Sequence, residues 1–208
     1  MTAAARFISF EGIDGSGKST QARLLHEALI AQGRDAILTR EPGGSPGAED
    51  IRKLLLEGAA ERWSSETELL LFTAARRDHL ERTIRPALDA GRIVICDRFA
   101  DSTRMYQGLR GDDLRALVDR LHDLMIAQEP DLTILIDIDP ETGLGRAVAR
   151  GGDELRFEGF GGALQARMRQ GFLDLAAEAP ERITVIDGAR DVELVARDVR
   201  DVVEARLP

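Results

Sequence analysis

The segment Gly12-Ile13-Asp14-Gly15-Ser16-Gly17-Lys18-Ser19 has the pattern G-x-x-x-x-G-K-[ST] and directly follows an apolar, β-prone stretch at residues 6–10. Glycines in such a loop let successive backbone N–H groups turn inward around phosphate oxygens. The lysine adds a positive charge at the β- and γ-phosphates, and the serine hydroxyl is a ligand for Mg²⁺. The sequence therefore predicts a strand, a phosphate-binding loop and a helix, in that order.

The composition narrows the class of protein. A length of 208 residues fits one domain with a substantial core. The formal net charge is −9, aromatic residues make up only 4%, and no basic patch is interleaved with aromatics, so nucleic-acid binding is disfavoured. Because only Lys18 and Lys53 among the 28 basic residues are lysines, the positive charge of a phosphate site must come largely from arginines.

The expected location is the cytoplasm. Cys96 is the single cysteine, which excludes an intramolecular disulfide and fits a reducing compartment. Its place inside an apolar run predicts a buried small side chain. The first residues lack the charged-then-apolar pattern of a signal peptide, and no apolar run approaches the length that spans a membrane. We therefore expect no membrane partner.

Short apolar segments alternate with longer amphipathic ones along the chain. Five strands are predicted, at residues 6–11, 35–39, 92–97, 131–137 and 182–186. Helices are predicted at residues 18–32, 48–56, 65–90, 114–128, 140–150, 163–177 and 192–206. Apolar runs without polar alternation are typical of strands that are covered by helices on both faces. The pattern predicts an α/β fold with a doubly wound, parallel five-stranded sheet.

Polar, glycine-rich segments follow three of the predicted strands. Residues 12–19 follow the first strand, residues 40–44 the second, and Asp97-Arg98 ends the third. In an open parallel sheet, ligands bind beyond the carboxyl ends of the strands. Because all three segments leave the sheet at that edge, we expect them to form one site.

A phosphate-binding loop alone is compatible with a GTPase, a motor, a nucleotide kinase or a catalytically silent nucleotide-binding module. A GTPase of the usual type reads guanine with an N-K-x-D motif, and this chain contains no asparagine. Motors usually need a longer chain. The size favours a small-molecule kinase, while the choice of acceptor and the silent module stay open.

A kinase must exclude water from the transferring phosphoryl group, so a segment that closes over the phosphates is needed. Residues 151–162 are rich in glycine and charge, and Arg156 lies among them. Arg146 and Arg150 lie four apart at the end of a predicted helix and share a face. Such arginines can stabilise charge on a transferring phosphoryl group, although a solvated helix end is the alternative interpretation. We expect a short lid at about residues 146–162.

Five blocks of sequence together resemble the bacterial thymidylate kinase family. In chain order they are FEGIDGSGKST (10–20), TREPGG (39–44), LFTAAR (71–76), DRF with STRMYQG (97–99 and 102–108), and RAVARG (146–151). They span nearly the whole chain in the family's order and spacing. The resemblance implies a P-loop nucleoside monophosphate kinase fold in one domain over residues 1–208. It also implies a homodimer that phosphorylates dTMP from ATP with Mg²⁺, giving dTDP for dTTP synthesis.

The resemblance implies roles for residues at matching positions. ATP would be bound by the loop from Gly12 to Ser19, by Thr20, and by Arg146, Arg150 and Arg156. Ser19 would ligate the metal directly and Asp97 through water. The dTMP site would comprise Asp14, Arg40, Glu41, Phe72, Arg76, Arg98, Ser102, Tyr106 and Gln107. The catalytic set would be Lys18, Arg98, Arg150, Asp14 and Asp97.

Within the acceptor site, the resemblance gives three residues distinct tasks. Phe72 would stack on thymine, Arg76 would hydrogen-bond the carbonyl edge of the base, and Arg98 would clamp the acceptor phosphate. Phe72 and Arg76 lie four apart on a predicted helix and project from one face. An ordinary core role for Phe72 and a local ion pair between Asp97 and Arg98 are the alternatives from the residues alone.

The phosphate-binding loop carries no arginine, since Gly15 and Ser16 stand between Asp14 and Gly17. This resembles the branch of the family whose catalytic arginine comes from the lid. The three histidines have no metal-ligand spacing, and we expect surface or helix-packing roles for them.

Overall fold

Five parallel strands form a single sheet in the computed structural model, which describes residues 6–59, 62–111, 113–150 and 161–207. The strands are β1 (Phe7–Glu11), β2 (Ala36–Arg40), β3 (Ile93–Asp97), β4 (Leu132–Asp137) and β5 (Ile183–Asp187). Their order across the sheet is β2-β3-β1-β4-β5. In the central strand β1, Phe10 pairs with Asp97 of β3 and with Ile134 of β4. The loop that follows β1 therefore leaves the middle of the sheet, at the edge where ligands bind in such folds.

Helices connect the strands. They are α1 (Lys18–Ala31), α2 (Pro46–Leu56), α3 (Ser65–His79), α4 (Arg85–Asp89), α5 (Ala100–Tyr106), α6 (Leu114–Met125), α7 (Pro140–Arg150), α8 (Gly161–Glu178) and α9 (Val192–Glu204). A π-helical turn (Leu80–Ile84) joins α3 to α4, and a 3-10 turn (Gly108–Arg110) follows α5. None of the helices in the described ranges is long and apolar enough to cross a lipid bilayer.

The helices cover both faces of the sheet. Ile8 of β1 packs on one face with Leu25 of α1 and Val199 of α9. Phe7 points the opposite way and packs with Leu80 and other residues of the helices on the second face. Burying a large apolar side chain on either face stabilises the fold by about 1.5–3 kcal/mol. The predicted doubly wound α/β architecture is confirmed.

Helix α5 was not predicted from the sequence. All of its residues, Ala100–Tyr106, are buried, and Asp101, Ser102, Thr103 and Arg104 are polar or charged. A helix that is buried all round has no amphipathic stripe, and seven residues are too few for a period to emerge. Its location directly after Asp97-Arg98 is what brings this polar helix to the predicted site.

Ion pairs hold α5 in place. Arg104 contacts Asp101 at 2.6 Å, Asp119 at 3.0 Å and Glu129 at 2.5 Å. Arg182, which precedes β5, contacts the other oxygen of Asp101 at 2.7 Å. Removing one member of such a network would leave a buried charge without its partner, which is costly. The network therefore fixes the helix that carries Ser102 and Tyr106 of the predicted acceptor site.

Candidate active site

Glycines shape the loop between β1 and α1. Gly12, Gly15 and Gly17 have φ angles of 141°, 75° and 93°, a region that residues with a Cβ rarely adopt. Space is limiting as well, because a Cβ on Gly12 would lie 2.5 Å from the carbonyl oxygen of Ile136, and one on Gly15 would collide with the backbone of Gly143. The loop thus packs closely against the end of β4 and the first turn of α7.

The side chain of Lys18 folds back over this loop. Its Nζ donates to the carbonyl oxygen of Ile13 at 3.3 Å and lies 3.8 Å from Asp14 Oδ1. Only 6% of the residue is exposed. Burial, followed by repulsion from Arg98, lowers the pKa of Lys18 to about 8. Asp14 is the nearest carboxylate and is shared with Arg98, so the buried ammonium gains further stabilisation when an anion binds beside it, and the site favours a polyanionic ligand.

Arg98 lies beside the same loop. Its Nη2 donates to Asp14 Oδ1 at 2.5 Å and to Tyr106 Oη at 3.1 Å. Its Nη1 donates to Ser102 Oγ at 3.0 Å and to the carbonyl oxygen of Gly12 at 3.3 Å. The guanidinium carbon also lies 4.9 Å from the centre of the Tyr106 ring. These contacts orient the guanidinium, and because 17% of the side chain is exposed, part of it stays accessible to a ligand.

The backbone of Arg98 is itself unusual. Its φ of 69° is a left-handed conformation that costs a non-glycine residue roughly 1–3 kcal/mol. The chain is held there by the Arg98 N–H, which donates to the carbonyl oxygen of Phe10 at 2.9 Å. Such strain persists where neighbouring contacts over-determine the conformation, which is common at binding sites.

One carboxylate connects the two cations. Asp14 Oδ1 accepts from Arg98 and faces Lys18, while Oδ2 accepts from Tyr106 Oη at 2.8 Å and from Gln165 Nε2 at 3.4 Å. Burial alone would raise the pKa of Asp14, but Arg98 and Lys18 outweigh burial and lower the pKa to about 2. The carboxylate is therefore ionised at neutral pH and holds both cations in place.

Glu11, the last residue of β1, binds the first residues of α5 beside Arg98 and was not among the predicted site residues. Its Oε1 accepts from the backbone N–H of Phe99 at 2.7 Å and of Ser102 at 3.3 Å, and its Oε2 accepts from Ser102 Oγ at 2.6 Å. Burial, followed by the charge of Asp101, raises the pKa of Glu11 to about 7. Glu11 thus fixes the start of α5 and the hydroxyl that Arg98 binds.

Replacing Glu11 with glutamine is expected to remove a pH-dependent part of the stability. Because its pKa is raised from 4.5 to about 7, the folded protein binds this proton more tightly than the unfolded chain. The contribution is complete below the unfolded pKa and is lost as pH rises through 7, with an upper bound of about 3 kcal/mol. Urea unfolding at about pH 5 and about pH 8 should therefore show a larger loss in the wild type than in Glu11→Gln.

Glu27→Gln is the matched control for this experiment. Glu27 is exposed on α1 and accepts from Arg23 at 2.7 Å, so its replacement should leave the pH dependence of unfolding unchanged. An equal loss of stability in the wild type and in Glu11→Gln would show that Glu11 does not titrate in this way.

A second cluster lies between β2, α3 and α5. Arg76 is buried, and its Nε donates to Glu41 Oε2 at 2.7 Å. Its Nη2 donates to the carbonyl oxygen of Phe99 at 3.1 Å and to Thr103 Oγ1 at 2.9 Å. Among the described residues, Nη1 makes no hydrogen bond. Phe72, one turn earlier on α3, is half-buried rather than a core residue.

The predicted metal ligands lie on one cleft. Ser19 and Asp97 line a cavity of about 810 Å³ together with Arg40, which pairs with Glu49 at 3.1 Å. Ser19 is exposed, and the buried Asp97 Oδ1 has no hydrogen-bond partner among the described residues. Mg²⁺ takes few oxygen ligands from a protein and keeps several waters. An accessible hydroxyl and an unpaired carboxylate oxygen on one cleft fit such an ion.

Two glutamines have amide oxygens without a hydrogen-bond partner among the described residues, one near Glu68 and one near Asp14. The Oε1 atoms of Gln107 and Gln165 are buried and, within the described part of the chain, have no hydrogen-bond partner. Gln107 was predicted, and its Nε2 donates to Glu68 at 3.5 Å, on the helix that carries Phe72. Gln165 was missed because it lies on α8, in a stretch that matches no motif. A buried carbonyl oxygen beside Asp14 is an acceptor for a ligand N–H or O–H group.

The lid is only partly within the described residues. Arg146 of α7 donates from Nη1 to the carbonyl oxygen of Gly188, after β5, at 3.1 Å. Arg150 is the last residue of α7, and Arg156 lies outside the described residues. Gly143 in the first turn of α7 packs against the phosphate-binding loop. The helix that carries Arg146 and Arg150 therefore starts in contact with that loop.

Comparisons with known proteins agree on one family. The model of the family described as Thymidylate kinase matches residues 10–199. The thymidylate kinase of Ruegeria pomeroyi is 69% identical over 207 residues, covering 100% of this chain and 98% of that protein. The thymidylate kinase of Dinoroseobacter shibae is 67% identical over 199 residues, covering 96% of each. A crystal structure of thymidylate kinase from Ehrlichia chaffeensis superposes with a TM-score of 0.76 at 41% identity, covering 97% of this chain and 99% of that chain.

Proposed function

The chain belongs to the thymidylate kinase family, and we propose that the site described above transfers the γ-phosphoryl group of ATP to dTMP. The products are ADP and dTDP, and dTDP serves the synthesis of dTTP. The observation that carries the proposal is the shared carboxylate. Asp14 Oδ1 lies 2.5 Å from Arg98 Nη2 and 3.8 Å from Lys18 Nζ. Asp14 thus keeps two cations close together, so that one can bind the donor phosphates and the other the acceptor phosphate.

The chemistry needs positioning more than proton transfer. The second pKa of a phosphate monoester is about 6, so an acceptor oxygen is already ionised at neutral pH and needs no general base. That oxygen forms a bond to the γ-phosphorus, the bond to the β–γ bridging oxygen breaks, and ADP leaves with the electron pair. Because both reactants are anions, the protein must supply positive charge. We assign Lys18 to the donor and Arg98 to the acceptor phosphate.

Mg²⁺ is proposed as the cofactor. Ser19 would hold it directly and Asp97 through water, and when bound it supplies charge neutralisation at the donor's β- and γ-oxygens. The unpaired Oδ1 of Asp97 and the accessible hydroxyl of Ser19 support this assignment.

Base recognition is assigned to α3 and its neighbours. The ring of the half-buried Phe72 would stack on thymine, and Arg76 Nη1 would donate to a carbonyl oxygen of the base. Glu41 acts through Arg76, since both of its oxygens are already engaged by Arg76 and His79. Gln107 would border the base pocket. A direct contact between Arg40 and the acceptor stays a prediction from the sequence.

Sugar recognition is assigned to the groups around Asp14. The hydroxyls of Tyr106 and Ser102 both contact Arg98. The family resemblance assigns Tyr106 to the border of the sugar, where it would leave little room for a ribose 2′-hydroxyl. This arrangement would favour a deoxynucleotide acceptor.

A panel of acceptors tests the function. ADP release is measured with ATP and Mg²⁺ in the presence of dTMP, dUMP, dCMP or AMP. We expect the highest kcat/KM with dTMP. Turnover of dCMP or AMP without turnover of dTMP would show a kinase of another acceptor. Binding of ATP without turnover of any acceptor would show a silent nucleotide-binding module.

Replacing Arg150 with alanine is expected to lower kcat about 100-fold and to change the KM for dTMP little. A lid arginine acts on charge that develops in the transition state, which the ground-state complex lacks. Initial rates at saturating ATP and varied dTMP measure both constants.

Arg197→Ala is the control for the lid variant, because Arg197 is exposed on α9 and, among the described residues, forms an ion pair only with its neighbour Asp198, at 3.5 Å. It should behave as the wild type. An effect of Arg150→Ala on KM alone would assign that residue to substrate binding, and wild-type kinetics would transfer the catalytic role to Arg146 or Arg156.

The assembly is proposed as a homodimer of one-domain subunits. Exposed apolar side chains on three helices support it: Leu54 on α2, Leu70 on α3 and Leu124 on α6 are 40%, 58% and 74% exposed. Since α2 and α6 both contact α3, these helices form a connected surface. The mass in solution, measured by light scattering, tests the proposal, and a monomer at micromolar concentration would contradict it. The cytoplasmic location stays a prediction.

A further inference from the structure

We propose that His79 is a positioning residue for base recognition, which holds Glu41 and, through Glu41, orients the guanidinium of Arg76. The proposal rests on the assignment of Arg76 to the base. His79 lies at the end of α3, one turn after Arg76, and its side chain is fully buried. Its hydrogen bonds within the described ranges go to Thr39 and Glu41, so an effect on the reaction would pass through these side chains.

Both ring nitrogens of His79 are engaged. Nδ1 lies 3.1 Å from Glu41 Oε1, and Nε2 lies 2.7 Å from Thr39 Oγ1. Burial alone would raise the pKa of Glu41, but Arg76 and His79 outweigh burial and lower it, so Glu41 is a carboxylate that only accepts. Nδ1 therefore donates to Glu41, and in this tautomer Nε2 accepts a hydrogen bond from the Thr39 hydroxyl. The tautomer is thus determined by its two neighbours.

The backbone of Gly44 packs closely against the ring of His79. Gly44 has a φ of 85°, and a Cβ there would collide with His79 Nε2 and lie 2.5 Å from Thr39 Oγ1. Thr83, in the π-helical turn that follows His79, donates from Oγ1 to the carbonyl oxygen of Gly44 at 2.7 Å. The ring is therefore wedged between β2 and the Gly43-Gly44 turn, so it fixes the carboxylate of Glu41 rather than following it.

The guanidinium of Arg76 connects Glu41 to the proposed base site. Glu41 Oε2 receives Arg76 Nε at 2.7 Å, and Arg76 Nη2 is held by Phe99 and Thr103. Nη1 then has a single direction in which to donate. Thymine presents an oxygen at its 4-position and cytosine an amino group, so a fixed donor at that edge prefers thymine. Without His79, Glu41 loses one of its two partners and the preference should weaken.

A metal site is the competing interpretation of the same residues. The ligand atoms of Glu41, His79 and Cys96 lie within 4.8 Å of one another. Each of them is already used, however, since the Cys96 thiol donates to the carbonyl oxygen of Arg98 at 3.0 Å and the other two are engaged as described. Burial also raises the pKa of the Cys96 thiol, which keeps it protonated. A metal ion held by Glu41 and His79 would have to replace the hydrogen bond between them and lie beside the Arg76 guanidinium, so the hydrogen-bonded arrangement is favoured.

The experiment measures kcat/KM for dTMP and dCMP in His79→Leu and His79→Asn. His79→Leu should raise the KM for dTMP about 10-fold and lower the dTMP-to-dCMP preference by a similar factor, with the KM for ATP unchanged. Asparagine keeps an N–H group near the position of Nδ1, so His79→Asn should recover most of the preference. His26→Leu is the matched control, because His26 is a partly buried histidine whose Nε2 contacts the carbonyl oxygen of Ala36 at 3.3 Å, away from the base.

A double mutant separates positioning from general destabilisation. In an Arg76→Ala background, His79→Leu should cause no further loss of preference, because the residue through which it acts is gone. A loss that adds to that of Arg76→Ala, or a wild-type preference in His79→Leu, would overturn the inference. If His79→Leu does not fold, Thr39→Val tests the same chain of contacts, and an unchanged preference in it would overturn the inference equally. A wild-type protein without any preference for dTMP would instead contradict the proposed function.

Discussion

Replacing Lys18 with methionine is expected to reduce kcat by a factor on the order of 10³–10⁵ and, at the same time, to stabilise the free protein. The loss follows from removing the cation that faces the donor phosphates. The gain in stability is expected because the variant no longer buries a charged ammonium group. Because the pKa of Lys18 is lowered from 10.5 to about 8, the folded protein carries the full penalty of this charge below pH 8. The difference corresponds to an upper bound of about 3 kcal/mol at neutral pH.

The sign of the pH dependence distinguishes this explanation from better packing. Between the folded pKa and the unfolded pKa of 10.5, the unfolded chain binds more protons at Lys18, so this penalty is relieved as pH rises. The advantage of Lys18→Met over the wild type should therefore shrink above pH 8. Chemical denaturation at about pH 7 and about pH 9.5 measures it, and circular dichroism confirms that the variant is folded.

Lys53→Met is the matched control, because Lys53 is the other lysine of the chain and is exposed on α2 beside Asp50, at 2.9 Å. It should leave both activity and stability near the wild-type values. Retained phosphoryl transfer in Lys18→Met would remove Lys18 from the donor site. A folded but destabilised variant would show that the buried charge is already compensated in the free protein.

The fold was largely predictable because its strands differ from its helices in pattern. Runs such as Ile93–Cys96 carry no polar residue, and β1 buries both faces, so five strands and a doubly wound sheet follow from local sequence. Helix α5 did not follow, because a segment that is buried on every side and held by ion pairs has no period to detect. Its stability is tertiary in origin.

The residues of the candidate site also fall into those that could be predicted from the sequence and those that could not. The phosphate-binding loop was predictable because its chemistry is local, with glycines, lysine and serine at fixed spacing. Glu11, His79 and Gln165 were not, because their partners are distant in sequence. His79 contacts Thr39 across 40 residues, and Gln165 contacts Asp14 across 151. No spacing rule connects such pairs, and only the packing of the helices against the sheet brings them together.

Replacing Arg98 with methionine is expected to lower kcat/KM for dTMP about 10³-fold while leaving the affinity for ATP alone unchanged. The variant loses the clamp on the acceptor phosphate and also exposes that phosphate to a bare carboxylate, since Asp14 keeps its charge without its main partner. Removing Arg98 also relieves the repulsion that lowers the pKa of Lys18. Donor binding should therefore survive, because the donor cation becomes easier to protonate.

Titration calorimetry with ATP and steady-state rates with varied dTMP separate the two effects. Arg98→Lys should recover only part of the loss, because an ammonium keeps the charge but lacks the two planar nitrogens, of which Nη2 donates to Asp14 and Nη1 to Ser102. Arg197→Met is the control, since Arg197 is exposed on α9, pairs with Asp198 at 3.5 Å and should be silent. An equal loss of ATP and dTMP affinity in Arg98→Met would mean that the residue supports the whole loop. An unchanged KM for dTMP would place the acceptor phosphate elsewhere, and the shared carboxylate of Asp14 would then no longer mark the point where the two phosphates meet.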